Sequence, residues 1–129
     1  MNTVTKTVHL NADRNRVFDF LSNIENLPKW ATNFCQGVKQ EGDDYKIVRP
    51  DGELFFKIVS DRTTGVVDMY GGPDKEQMAG WPARVMGLAD GTSLFAFTCV
   101  QFPGVTDEAF ADDCVSVDGE LEILRNILA

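Results

Sequence analysis

Short apolar segments alternate with turn-forming clusters along most of this chain. Residues 3–10 place valine and leucine on one side and threonine and His9 on the other, which is typical of a half-buried strand. Segments rich in β-branched and aromatic residues follow at about 34–41, 45–49, 53–60, 65–70, 79–87 and 93–102. Clusters such as Asp90-Gly91 and Pro103-Gly104 separate or end them. The pattern predicts a meander of about seven antiparallel strands.

Three helices interrupt or end this pattern. Asp13 is well placed to cap a helix over 14–22, and a second short helix over 24–30 is limited by Pro28. After Thr106, a good N-cap, the apolar period changes to three and four residues. The inward stripe of this last helix comprises Phe110, Cys114, Val117, Leu121, Leu124 and Leu128. The residues assigned to its outward side are Asp112, Ser116, Glu120 and Glu122.

Together these elements predict a single α+β domain over residues 1–129. A curved antiparallel sheet would carry two short helices after its first strand, and the long C-terminal helix would cross its concave face. A sheet gripped in this way can enclose a cavity beneath the helix. The predicted fold therefore indicates a protein that binds a small molecule more than it indicates any specific reaction.

Composition narrows the choice of partners. The net charge is −8, and no three lysines or arginines are adjacent. Binding to nucleic acid or to an anionic leaflet needs a basic cluster, so we expect neither. The sequence also carries no signal-like segment and no apolar run of about 18 residues, so we expect no membrane insertion.

Cysteine and histidine restrict the chemistry further. Cys35, Cys99 and Cys114 form no CxxC pair, and their odd number fits free thiols in a reducing cytoplasm. His9 is the only histidine, which argues against a metal site based on histidine. We expect no metal and no cofactor.

The segments that carry a family resemblance occur in order along nearly the whole chain. They read VFDFL at 17–21, ENLPKW at 25–30, GVVD at 65–68, WPARV at 81–85, DGTS at 90–93, QFPG at 101–104, DEAF at 107–110 and ELEIL at 120–124. In this order the chain resembles the SRPBCC superfamily, the START-like or polyketide cyclase-like proteins with the helix-grip fold. It is most similar to the short bacterial members.

The resemblance implies a hydrophobic cavity between sheet and helix. Members of the superfamily bind lipids, sterols or polyketides, and some catalyse cyclisation or dehydration. Others act as co-chaperones or as partners of larger complexes. Because one fold hosts several functions, the resemblance leaves the activity open.

Asp68 and Arg84 form the leading candidate constellation. If the hairpin between segments 65–70 and 79–87 is symmetric about residue 76, the two charges lie directly opposite each other. Facing inward, they would orient the polar end of an apolar ligand; facing outward, they would form an ordinary surface ion pair. The expected ligand-binding residues are Phe34, Phe56, Ile58, Asp68, Tyr70, Trp81, Arg84, Met86, Phe95, Phe97, Cys99, Phe110, Cys114, Val117 and Leu121. Asp68 and Arg84 are also the only catalytic candidates.

The opposite face of these strands is expected to be apolar as well. Its predicted members are Val67, Met69, Trp81, Val85, Leu94, Ala96 and Val100. A sheet that is apolar on both sides needs a second cover, which a homodimer through the outer face or a third element would supply.

The sequence as a whole favours binding over catalysis. The expected ligand is a small hydrophobic or amphipathic molecule that is lipid-, isoprenoid- or polyketide-like. Two alternatives stay open: an enzyme of the polyketide cyclase, aromatase or dehydratase type, and an interaction module with no pocket.

Overall fold

Eight strands and three α-helices make up the computed structural model, which describes residues 1–129. The order is β1 (Thr3–Leu10), α1 (Arg14–Ser22), α2 (Leu27–Trp30), β2 (Gly37–Glu41), β3 (Asp44–Arg49), β4 (Gly52–Asp61), β5 (Val66–Gly72), β6 (Ala79–Trp81), β7 (Ala83–Gly87), β8 (Ser93–Val100) and α3 (Asp107–Ile127). One turn of 3₁₀ helix at Ile24–Asn26 joins α1 to α2. This arrangement confirms the predicted α+β helix-grip fold.

All strands belong to one antiparallel sheet. The main path runs β1-β8-β7-β5-β4-β3-β2, and β6 pairs with β5 beside this path. The N-terminal strand β1 pairs along its whole length with β8, so that Thr3 lies opposite Val100 and Leu10 opposite Ser93. The two ends of the path, β1 and β2, are the edges of the sheet.

Pro82 divides the predicted strand 79–87 into β6 and β7. Proline has no N–H to donate to the ladder, so regular pairing with β5 stops at this residue. The neighbouring Ala83 N–H instead donates to Asp68 Oδ1 at 3.0 Å, and the Pro82 carbonyl accepts from Thr98 N at 2.9 Å. A side chain and a cross-strand carbonyl therefore bridge the break.

The helices begin where their caps predict. Asp13 accepts a hydrogen bond from Arg16 N at 3.0 Å, and Thr106 accepts one from Ala109 N at 3.1 Å. Asp107 and Glu108 occupy the first turn of α3 and Arg125 its last turn, which complements the helix dipole. None of the helices combines the length and the apolar character that a membrane crossing requires.

One continuous hydrophobic core lies between the concave face of the sheet and the helices. Phe95, on β8, is completely buried, and the Trp30 ring of α2 packs edge-on against it with centroids 6.1 Å apart. Phe97 adds a tilted ring contact at 6.4 Å. Helix α2 therefore attaches to β8 through an aromatic contact.

Gly65 ends the turn between β4 and β5 in the left-handed region, with φ at +83°. Its N–H donates to the Asp61 carbonyl and its own carbonyl accepts from Val85 N, both at 2.8 Å. A Cβ added here would lie 2.1 Å from the Val85 carbonyl oxygen. The backbone of β7 therefore approaches this turn too closely for any other residue type to fit without movement.

Candidate ligand-binding cavity

A cavity of about 450 Å³ lies between the concave face of the sheet, α2 and α3. Fifteen of its 23 lining residues are hydrophobic. They are Leu27, Trp30, Ala31, Phe34, Leu54, Phe56, Met69, Trp81, Phe97, Cys99, Val100, Phe102, Val105, Phe110 and Val117. Both the volume and the mainly apolar lining fall within the range of small-molecule sites in proteins.

A chain of aromatic rings forms one wall. Phe34 contacts Phe56 with ring centroids 5.8 Å apart and Trp81 at 5.5 Å, and Trp81 contacts Phe102 at 5.3 Å. The rings come from the segment after α2, from β4, from β6 and from the segment after β8. Elements distant in sequence therefore fix the wall by ring-to-ring packing.

Arg49 is the only basic residue among the lining residues. Its Nη1 donates to the Phe34 carbonyl at 3.1 Å, and its guanidinium lies over the Phe34 ring at 4.7 Å from the centroid. Its Nε lies 3.7 Å from Asp51 Oδ1. The guanidinium is therefore already engaged by the protein on several sides.

Glu120, on α3, is the buried carboxyl of the cavity, with 4% of its surface exposed. Its Oε2 accepts the Phe34 N–H at 3.1 Å. Burial raises the pKa of Glu120, and this effect outweighs the backbone hydrogen bonds from Phe34 and Asn33 and the attraction of Arg49. Glu120 takes part in none of the ion pairs of the structure.

The polar mouth of the cavity lies around Arg49. Asn33, Asp51, Glu53 and Asp113 line the cavity there and are exposed, so the cavity meets solvent at this point. Partial desolvation raises the pKa of Asp113, against the opposing attraction of Arg49. An apolar interior with one polar, mostly acidic mouth suits an amphipathic molecule.

The structure divides the fifteen expected ligand-binding residues into three groups. Those on the cavity wall are Phe34, Phe56, Trp81, Phe97, Cys99, Phe110 and Val117. Those on the core side but away from the cavity are Ile58, Phe95, Cys114 and Leu121. Those on the outer face of the sheet are Asp68, Tyr70, Arg84 and Met86. A ligand-binding role for the first group stays a prediction.

The predicted placement of Asp68 and Arg84 is wrong. Met69 lies opposite Trp81 and Val66 opposite Arg84, so the register differs by two residues from the symmetric hairpin. Arg84 is exposed and its Nε donates to the Thr64 carbonyl at 3.0 Å. Asp68 accepts from Ala83 N instead of meeting Arg84. Neither side chain lines the cavity.

The assignment of the two sheet faces also changes. Phe95 and Phe97 lie opposite Val85 and Ala83, on the inner face, and not beside Arg84 and Met86. Of the residues predicted for the outer apolar face, Val67, Met69 and Val85 are buried on the inner side, and Trp81 lies opposite Met69. Leu94 and Ala96 remain outside, opposite Met86 and Arg84. The outer face is thus more polar than expected.

Because Asp68 completes the hydrogen bonding beside Pro82, we expect Asp68→Ala to affect stability and not the cavity. Loss of its carboxylate leaves the Ala83 N–H without a partner, which lowers the free energy of unfolding by about 1–3 kcal/mol. Urea unfolding measures this loss, and Nile red titration measures the affinity of the cavity. Arg84→Ala serves as the control, with a loss below about 1 kcal/mol because the side chain is exposed. If both variants bind Nile red more weakly, the result would support the original prediction that Asp68 and Arg84 face the cavity.

Sequence reasoning missed the polar residues of the site. Glu120 and Ser116 were assigned to the outward side of the last helix, yet both line the cavity, as does Asp113. The signal was present, because Glu120 follows Val117 by three residues and precedes Leu124 by four, next to the apolar stripe. Arg49, at the end of β3, gave no comparable signal.

Cys99 and Cys114 approach each other between β8 and α3, and both are free and buried. Burial, reinforced by the neighbouring Cys114 thiol, raises the pKa of Cys99 to about 12. Such a thiol is neutral at physiological pH and is a poor nucleophile. These residues therefore pack as small hydrophobic groups.

Solved structures resemble the chain over almost its full length. XoxI from Bacillus cereus has a TM-score of 0.77 at 16% identity, covering 99% of this chain and 96% of that one. A START superfamily protein from Mycobacterium smegmatis has a TM-score of 0.70 at 12% identity, covering 98% and 96%. The di-domain ARO/CYC BexL of the BE-7585A biosynthetic pathway has a TM-score of 0.69 at 13% identity, covering 98% of this chain and 46% of that one.

The sheet, the short helices and the long C-terminal helix around the cavity define a helix-grip fold. The structural neighbours, which include a START superfamily protein and an ARO/CYC protein, confirm the SRPBCC-type fold. No protein-family model and no curated protein matches the sequence. The TM-scores between 0.69 and 0.77 establish the shared architecture. The identities between 12% and 16% are too low to identify the ligand, which has to be inferred from the cavity itself.

Proposed function

We propose that this protein binds a small hydrophobic or amphipathic molecule, lipid-, isoprenoid- or polyketide-like, between the sheet and α3. The cavity of about 450 Å³ is the observation that carries the proposal. Its volume suits a ligand of drug size, and its aromatic wall supplies most of the contact area. A cavity of this kind also argues against the alternative that the protein is an interaction module with no pocket.

Blocking the cavity is the direct test. Val117 faces the cavity from the middle of α3, and Val117→Trp places a large ring in that space. We expect the affinity for Nile red, an apolar dye whose fluorescence rises in dry sites, to fall by about tenfold or more, since overpacking costs about 1–3 kcal/mol. Fluorescence titration of both proteins measures the change.

The matched control is Val115→Trp. Val115 is on the same helix, is 69% exposed and lies outside the cavity. This variant should bind Nile red as the unmodified protein does, and its melting temperature reports the cost of a tryptophan on α3. Equal affinities for Val117→Trp and Val115→Trp, with both proteins folded, would contradict the proposal.

The second candidate is an enzyme of the polyketide cyclase, aromatase or dehydratase type. Glu120 favours it, because a buried carboxyl with a raised pKa inside an apolar cavity is a common form of general acid or base. BexL, a structural neighbour, is an ARO/CYC protein. In this candidate Glu120 replaces Asp68 and Arg84, and a bound molecule leaves the cavity chemically changed.

Location and assembly remain part of the proposal. Three free, buried cysteines support a reducing compartment such as the cytoplasm. A homodimer through the outer sheet face has less support than the sequence suggested, because Asp68 and Arg84 lie there and Met69 and Val85 do not. Light scattering at high concentration decides between monomer and dimer.

A further inference from the structure

The charges at the cavity mouth are unequal. Asp51, Glu53, Asp113 and Glu120 line the cavity, against the single cation of Arg49. Glu53 is paired with Lys39 at 2.5 Å, and Asp51 faces Arg49. Glu120 and Asp113 form no ion pair. Two carboxyl groups on the cavity-facing side of α3 therefore have no cation bound to them.

Arg49 is poorly placed to receive an anionic ligand. Its guanidinium donates to the Phe34 carbonyl, stacks on the Phe34 ring and faces Asp51. A carboxylate or phosphate would have to displace these partners and then lie beside the acidic groups of the mouth. Like charges at short range disfavour such a complex.

The same surroundings favour a cation. A protonated amine can donate to Glu120 in a charge-assisted hydrogen bond, and the Asp113 carboxylate attracts positive charge at the mouth. Inside a partly desolvated cavity both interactions are stronger than in water. The rest of the ligand would occupy the apolar interior.

We propose that the cavity selects amphiphiles whose polar end is a protonated amine, and that Glu120 receives this amine while Asp113 attracts it at the mouth. The inference rests on the proposed function, because the amine reaches Glu120 only if its apolar body enters the cavity. It adds the chemical class of the ligand, which neither the fold nor its neighbours supply.

The ionisation of Glu120 gives the proposal a pH signature. The groups that face Glu120 are Arg49 from β3, the Cys35 thiol, and the backbone N–H groups of Asn33 and Phe34. Burial raises the pKa of Glu120, so in the free protein the carboxylate forms only as the pH rises above the ordinary glutamate value of about 4.3. The affinity for an amine therefore rises with pH through this range. The affinity for an uncharged analogue does not.

Three probes with one apolar body isolate the polar end: naphthylmethylamine, naphthylmethanol and naphthoate. Isothermal titration of the full chain at neutral pH should give the amine the tightest binding, about tenfold tighter than the alcohol, with naphthoate weakest. Tightest binding by naphthoate, or equal binding by all three, would overturn the amine inference and leave the proposed function standing. Absence of binding by the alcohol and by Nile red would overturn both.

Charge-neutral variants test the role of Glu120. Glu120→Gln keeps an acceptor for the Phe34 N–H and should remove the tenfold preference for the amine over the alcohol, together with the pH dependence of amine binding. Glu122→Gln is the matched control, because Glu122 loses the same charge on the same helix but is exposed and paired with Arg125. An amine preference that survives Glu120→Gln, or that Glu122→Gln abolishes equally, would contradict the assignment.

Discussion

Replacing Gly65 with alanine is expected to lower the free energy of unfolding by about 2–5 kcal/mol. Two costs add in this variant. An L-residue in the left-handed region costs about 1–2 kcal/mol, and φ at this position is +83°. In addition, the new Cβ would lie 2.1 Å from the Val85 carbonyl oxygen, so the β7 backbone has to move. Displacements of this kind cost about 1–3 kcal/mol more.

Gly91→Ala separates the two costs. Gly91 has nearly the same conformation, with φ at +85°, but a Cβ there would meet nothing within 4 Å. Only the conformational cost of about 1–2 kcal/mol remains. Urea unfolding of both variants measures the difference, which is the cost of the clash. If the two losses are equal, β7 does not press against the turn at Gly65.

Phe95→Ala should lower the free energy of unfolding by about 3–5 kcal/mol, the usual cost of removing a fully buried phenylalanine. Phe95 has no exposed surface, and its ring packs against Trp30 and Phe97. The deletion leaves a void where α2 meets β8, and the surrounding rings can fill it only in part. Urea unfolding measures the effect.

Phe55→Ala is the control for this deletion. Phe55 is half-buried on strand β4, beneath Lys46 Nζ at 4.7 Å from the ring centroid. The same atoms are removed, but less apolar surface was withdrawn from water, so a loss of about 1 kcal/mol is expected. If Phe95→Ala and Phe55→Ala lower the free energy of unfolding by similar amounts, burial of the Phe95 ring does not contribute the expected extra stability.

The sequence is enough to predict the elements and their order, because each depends on local signals. Asp13 and Thr106 cap helices that begin at the next residue, and every predicted strand has a counterpart in the sheet. The one divided strand also has a local cause, because Pro82 interrupts the ladder between β6 and β7. Local chemistry was therefore a sufficient guide to the helix-grip layout.

Pairing register could not be predicted in the same way. It depends on how the turns are built, and between β7 and β8 a shift of a single residue exchanges the two faces of a strand. Val85 lies opposite Phe95, which turns Arg84 and Met86 outward and brings Met69 and Val85 inward. The predicted pair of Asp68 and Arg84 fails for a separate reason, because the register between β5 and β7 differs by two residues and places Val66 opposite Arg84.

The role of Glu120 was hidden for a different reason. The apolar periodicity of a helix identifies a single buried face. Helix α3, however, packs against the sheet on one part of its buried surface and lines the cavity with another. Leu121 and Leu124 face the packed core, whereas Val117 and Glu120 line the cavity. A carboxylate beside the apolar stripe looks like a surface residue unless the cavity is known.

The pairing of β1 with β8 determines when the sheet can form during synthesis of the chain. Thr3 lies opposite Val100, so β1, which is synthesised before the other strands of this sheet, has no partner until β8 has been synthesised. Contacts of such long sequence separation form slowly, because a large loop must close before any pairing is gained. Until then the apolar side of β1, including Leu10, stays uncovered on the nascent chain. Synthesis of β8 and then of α3 therefore completes the sheet and the cavity together.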